Sequence, residues 1–258
     1  MTAYIKFIMI LFCVFFKAQN NFIVYNKIID DAGGNEKIYE KNILVFQDKW
    51  SIFFSYRGSL EEVNDFLTNS EKIRSSQIIK NSLDEKKFYI KDNSFTKEIL
   101  FTLDNYQKID WNIIQKDTEI ILGYKCHKAL GKFRGRDFIA YFTTDLPVDL
   151  GPLKFRGLPG VILKVSDKDN LFTYEAAKIV LNFPQKIDIN SKLLFSFPEE
   201  KSKYIDYKEY INIENNYLKD IKSKVEANRP AGTIVVSSSK ERDFKIEKSF
   251  EWEESKKP

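Results

Sequence analysis

Residues 151–163 read Gly151-Pro152-Leu153-Lys154-Phe155-Arg156-Gly157-Leu158-Pro159-Gly160-Val161-Ile162-Leu163. The four residues Leu158-Pro159-Gly160-Val161 meet the demands of a type II turn: proline presets φ near about −65° at the second position, and glycine accepts the positive φ required at the third. The apolar run 161–165 follows at once, so the turn is expected to deliver the chain into a strand, with Gly160 at positive φ. Leu158 and Pro159 carry no chemistry. Gly157, Leu158, Pro159 and Gly160 therefore read as a structural turn before a functional one.

Outward from this turn the sequence reads as β structure. Upstream lie apolar runs at 88–90, 99–103, 107–111, 120–130 and 133–142, and downstream at 171–179, with Gly, Asp, Asn or Pro in the connectors. Short strands at such spacing argue for an antiparallel sheet rather than βαβ units. Asp167-Lys168-Asp169-Asn170 is a hairpin turn; it lacks the glycine and terminal glutamate of a calcium loop. The first part of the chain repeats the pattern, with strands expected at 22–29, 37–46 and 50–56 and turn formers at 30–35. Ser59-Leu60-Glu61-Glu62 fits a capping box, and Leu60, Val63, Phe66 and Leu67 follow at helical spacing. A second amphipathic helix is expected over 204–227, stopped by Pro230 and Gly232, then a closing strand at 233–237 and a solvated tail at 247–258. The expected class is mainly β (α+β), a single antiparallel sheet with one or two packed helices in one domain over 20–246.

The segment around the turn resembles the GLPGLI family of Bacteroidetes-type bacteria, with Val161 where the family name has its second leucine. The likeness runs through Trp111-Asn112-Ile113, Thr118-Glu119, Gly123-Tyr124-Lys125-Cys126-His127-Lys128-Ala129, 138–143, Leu146-Pro147, Gly151-Pro152 and Phe155-Arg156-Gly157. Tyr141 stands where a tryptophan is typical. The resemblance implies an address and an architecture rather than a reaction. By more distant analogy the architecture is similar to the bowl-like N-terminal domain of a type II peptide-N-glycosidase, which implies a curved sheet whose concave face meets a partner. Proteins of this kind are often encoded near TonB-dependent outer-membrane receptors, so such a receptor or an envelope glycan or peptide is the implied partner.

The N-terminus reads as a secretory signal over 1–19: Lys6 gives the basic region, 7–16 the apolar core, and cleavage is expected near Ala18 or Gln19. Ten apolar residues are too few to span a bilayer, which takes roughly 20. Cys13 lacks the small preceding residues of a lipobox. The expected location is the periplasm, the outer membrane or the medium, with no transmembrane span after cleavage. Losing Lys6 and Lys17 leaves 39 basic against 37 acidic residues, a balance that argues against nucleic acid as a partner. It also leaves Cys126 as the one cysteine, so the fold must be held by its core. With 22 Phe and 13 Tyr, burial at about 1.5–3 kcal/mol per large apolar side chain supplies one.

Chemistry-bearing residues are sparse. His127 is the only histidine, and its neighbour Cys126 points to the opposite face of a strand, so a Cys–His dyad is disfavoured. Cys126 is read as a buried small residue, with a free reactive thiol as the alternative. Metal chemistry needs several N or S ligands and no cofactor motif is present; no catalytic, cofactor or metal residue is assigned. The 37 acids leave a carboxylate-dependent hydrolase of a glycan or peptide open, and a purely structural envelope role is the third alternative. Lys125, Lys128, Lys132, Arg134 and Arg136 crowd into twelve residues, joined by Lys154 and Arg156. Lys125, Lys128, Arg134, Arg136 and Arg156 are the candidate rim of a binding surface for an anionic group. The leading expectation is thus an exported binding or accessory protein without catalysis of its own; its oligomeric state is not legible.

Overall fold

A computed structural model describes residues 20–30, 37–69, 75–185, 187, 197–228, 242–243 and 245–254. The signal segment 1–19 and the strand expected at 233–237 lie outside the described residues. The strands are β1 (Asn20–Asp30), β2 (Lys37–Gln47), β3 (Trp50–Tyr56), β4 (Gln77–Ser82), β5 (Lys87–Asp92), β6 (Leu100–Asn105), β7 (Asn112–Ile121), β8 (Tyr124–Phe133), β9 (Arg136–Thr143), β10 (Val161–Asp167), β11 (Phe172–Phe183) and β12 (Ile205–Asp206). The helices are α1 (Val63–Thr68), α2 (Tyr207–Ala227) and α3 (Glu251–Glu254). All twelve strands form one sheet in the order β12-β6-β5-β4-β3-β2-β1-β11-β10-β9-β8-β7. Two meanders, β1 to β6 and β7 to β11, meet at the antiparallel β1–β11 seam. The short β12 runs parallel to β6, so the sheet is mixed rather than purely antiparallel.

The sheet curves, and its two faces are distinct. Ile23, Tyr25, Leu44, Phe53 and Ile79 share one buried cluster with Phe133, Phe138 and Phe142 from the far meander. Strands that distant can share a core only if the sheet bends round it, so this is the concave face. The alternate residues Phe22, Val24, Ile43, Val45, Ile52, Phe54 and Ile78 form a second cluster with Val63 and Leu67 of α1 on the convex face. The central strands are therefore apolar on both faces. Before α1, the Ser59 amide reaches the Glu62 carboxylate at 3.1 Å and the Glu62 amide reaches the Ser59 hydroxyl at 3.3 Å, which is the expected capping box.

Several expectations need correction. The runs 120–130 and 133–142 are not single strands. Leu122 (φ 50) and Gly123 (φ 85), and Arg134 (φ 40) and Gly135 (φ 82), make two tight hairpin turns with the paired positive φ of type I′ geometry. The stretch 107–111 is a covering loop in which Trp111 lies over Gly131; a Cβ there would sit 2.5 Å from the indole. β4 was not anticipated. Gly160 is not at positive φ; Gly157 is, at 93°. Gly160 is required for space, because a Cβ would meet the Thr143 carbonyl oxygen at 1.9 Å. The segment does feed β10, as the Val161 amide bonds to the Leu146 carbonyl at 3.0 Å and the Ile162 amide to Leu150 at 2.8 Å.

The reading of 247–258 as a solvated tail also fails for its first part. Phe250 is 2% exposed and belongs to the concave core, and the Lys248 and Ser249 amides bond to the Arg134 carbonyl. α2 covers part of the concave face with Tyr207, Tyr210 and Ile211, and Asp206 caps it by accepting from the Glu209 amide at 2.8 Å. No described helix is long and apolar enough to cross a membrane.

Candidate functional site

The Arg134-Gly135 turn sets a guanidinium into the concave side, where β6 presents Asp104 inward. Arg134 Nη1 and Nη2 donate to the two Asp104 oxygens at 2.8 Å each, a two-pronged pairing that matches both planar groups. Arg134 also reaches Glu247 and Glu251, each at 3.1 Å. Lys154 Nζ donates to Asp104 at 2.8 Å and to Glu247 at 3.0 Å. Both cations lie over the Tyr207 ring, 4.6 Å and 3.8 Å from its centre, and the Tyr207 hydroxyl donates to Glu247. Burial alone would raise the Glu247 pKa, but Lys154 and Arg134 outweigh it and hold the carboxyl at about 2. The network ties β6, the β8–β9 turn, the 150s loop, α2 and the C-terminal segment into one clamp.

This changes the expected basic rim. Arg134 and Arg136 are buried: Arg136 pairs with Asp167 at 3.1 Å and donates to the Lys245 and Asp243 carbonyls. Arg156 pairs with Asp149 at 2.8 Å and stacks 3.6 Å above Tyr106. Trp111 Nε1 donates to its carbonyl at 2.8 Å, so it braces the 146–160 loop. Lys128 pairs with Asp117 at 3.3 Å. Lys125 alone of the five is exposed and has no ion pair among the described residues. Four of the five are thus each engaged by an acid, two of them inside the protein, so they do not stand together as an open rim. Cys126 is fully buried, and burial pushes its thiol up to about 11, so it is inert near neutrality. His127 is half-buried beside Phe142.

What the structure does assemble is a cleft between the sheet's concave face and α2. An inner cavity of about 300 Å³ is lined by Ile79, Ile90, Phe133, Phe155, Tyr174, Tyr207 and Tyr210. An outer cavity of about 610 Å³ is lined by Glu40, Asn42, Ser55, Arg57, Ser76 and Ser94. Lys27, Gln77, Leu153, Tyr174, Glu214 and Lys245 line both, so the two meet. Lys27 pairs with Glu40 at 2.8 Å. On the facing wall Glu214 is held by Arg242 at 2.8 Å and Lys245 at 2.9 Å. At the hinge of the cleft Asp92 accepts from Gln77 at 2.6 Å, Tyr210 at 2.8 Å and Ser94 at 2.6 Å. No group of three His, Cys, Asp or Glu among the described residues is placed to hold a metal ion.

The residues that line the cleft escaped the sequence reading because they come from both ends of the chain. Lys27 and Lys245 both line it, and neither belongs to a dense basic run. The one available signal was the polar positions Glu40 and Asn42 within the strand expected at 37–46.

No family model matches the chain, and no characterised protein matches it in sequence. Two crystal forms of PNGF-II match in structure. Each is 18% identical over 76% of this chain, with TM-scores of 0.55 in the C2 form and 0.53 in the P21 form. In fold, the chain is similar to part of PNGF-II. It spans about a third of those structures, 32% and 33% of their length, and the likeness is one of architecture.

Proposed function

We propose that this is an exported binding or accessory protein of the cell envelope that works through the concave cleft and has no reaction of its own. The observation that carries the reading is the state of the carboxylates around the cleft. Of the acids that line the cleft, Glu214 and Glu247 are each held by two or more donors and Glu40 by Lys27, and behind them Asp104 and Asp92 are also held by two or more donors. A carboxylate hydrolase needs one carboxyl that keeps its proton and another free to act on water or substrate. Glu247 is driven the opposite way, to about 2, and Glu214 is occupied by two cations. Export rests on the leader-like segment 1–19, and placement among GLPGLI-type proteins on the likeness over 111–165. Together they support a periplasmic, outer-membrane or secreted location and a role beside an outer-membrane receptor.

The test combines turnover and binding on one preparation. The purified protein is incubated with peptides, glycopeptides and envelope oligosaccharides, with products followed by mass spectrometry and binding by calorimetry. Saturable binding without product is expected. Product formation that Glu214→Gln or Glu247→Gln abolishes would overturn the reading in favour of a hydrolase. Absence of both binding and turnover would overturn it in favour of a structural role. N-terminal sequencing of protein from its native host should place the mature start near residue 19 or 20.

A further inference from the structure

The cleft has an apolar inner end, a polar outer end, and one buried group whose chemistry is incomplete. Asn42 points inward from β2, cross-strand from Tyr25 and Ser55. It is 6% exposed and lines the outer cavity, yet its carbonyl oxygen has no partner among the described residues. A buried amide oxygen without a donor is unfavourable until one is supplied, and a ligand N–H in the cavity that Asn42 lines would supply it. Around it the mouth is cationic: Lys27 and Lys245 each share an acid, while Arg57 has no ion pair among the described residues.

Resting on the binding reading above, we propose that the cleft takes a short peptide with a free or side-chain carboxylate. An apolar side chain would seat against Ile79, Leu153 and Tyr174, a main-chain N–H would donate to Asn42, and the carboxylate would face Lys27 and Arg57. The concave face already holds a peptide in this manner. The segment 245–252 lies on it with Glu247 between Arg134 and Lys154 and with Phe250 and Trp252 against Tyr207. Acid-to-base pairing and aromatic anchors hold that segment, and no strand pairing does. The rings Tyr207 and Tyr210 are stacked on each other at 5.5 Å inside the core, so they are not laid open as a platform for sugar faces. A peptide fits this chemistry better than a glycan.

The probe is a panel of tripeptides Ala-X-Ala with X as Leu, Phe, Ser or Lys, each as free acid and as C-terminal amide, so that amidation removes the one carboxylate, titrated into the purified protein. Maltohexaose serves as the glycan control. The Leu and Phe free acids should bind tightest, and amidation should weaken them about tenfold, the loss of one charge-assisted hydrogen bond. Asn42→Leu should also weaken binding about tenfold while leaving the melting temperature unchanged or higher, because it removes a buried acceptor that has no partner. Arg57→Gln, a change on the cleft's polar side, should weaken the free acids but not the amides. Peptide binding that Asn42→Leu and Arg57→Gln leave unchanged would overturn the site. Binding of maltohexaose with none of the peptides would overturn the ligand class while sparing the binding reading. Cleavage of any tripeptide would instead overturn the non-catalytic reading itself.

Discussion

The convex and concave faces of this sheet are built from alternate residues of the same strands, yet they hold together by different means. On the convex side β1 to β4 and α1 pack Phe22, Val24, Ile43, Ile52, Phe54 and Leu67 with side chains that are at most 1% exposed. Among the described residues no charge is buried with them. On the concave side the same strands contribute Tyr25 and Phe53, but the layer above them is pinned by Arg134, Lys154, Asp104, Glu247 and Asp92. The difference teaches where a ligand can be accommodated. Where the convex side chains interdigitate they leave no gap, and the space on that side lies at its edge, a cavity of about 480 Å³ beside Tyr56, Glu62 and Phe66. A face closed by a few directional contacts instead leaves gaps between them, and the cleft is one such gap.

The comparison breaks most sharply at Arg134. Removing one partner of a buried ion network leaves the others uncompensated and costs about 3–5 kcal/mol, so Arg134→Ala should give the largest fall in denaturant midpoint. The paired acid gives this face a pH dependence that the convex face lacks. Glu247 is lowered from 4.5 to about 2. Its contribution is therefore complete above about pH 4.5 and is lost as pH falls toward 2. Acid unfolding curves should show Glu247→Gln flattening that slope while lowering stability at neutral pH.

Gly160→Ala comes next. The added methyl must displace the Thr143 backbone, at about 1–3 kcal/mol, and equilibrium unfolding will measure it. An unchanged stability would mean that β9 and the start of β10 are not packed as described. Phe54→Leu, on the dry face, should cost about 1 kcal/mol and show the same loss at pH 3 and pH 7. A pH-dependent loss would show that the convex face is coupled to the clamp. Lys125→Glu should change stability by less than about 0.5 kcal/mol. It is exposed and carries no ion pair among the described residues.

The strands with alternating or doubly apolar patterns were legible: β1, β2, β3, β10 and β11 lie within a few residues of the apolar runs that announce them. Two of the hairpin turns were not, because Leu122 and Arg134 are poor turn formers, and only the following glycines carried a signal. At Arg134 the positive φ is held by the four oxygen contacts of its side chain, which no local pattern reveals. β4 was hidden because two of its three concave positions, Gln77 and Asn81, are polar and leave Ile79 as the one apolar side chain there. The basic run 125–136 was visible as charge, but the burial of Arg134 and Arg136 within it was not, since the acids that pair with them, Asp104, Asp167 and Glu247, lie about 30 to 110 residues away in sequence. The same separation disguised the C-terminal segment, whose Glu and Lys content reads as solvent-facing until Phe250 and Glu247 find their places.

The seam between β1 and β11 has a consequence for how the chain acquires its shape. Asn21 and Asn182 are bonded across it although 161 residues separate them. Each meander is built from neighbouring hairpins and can form as its own residues emerge, but the join between them waits for nearly the whole sheet to be made. Until then β1 offers an open, apolar edge. A polypeptide with that order of events folds late, and its assembly rate is set by one long closure. Release of the two meanders as separate polypeptides, cut within 106–111, would turn that closure into a bimolecular encounter whose speed rises with concentration.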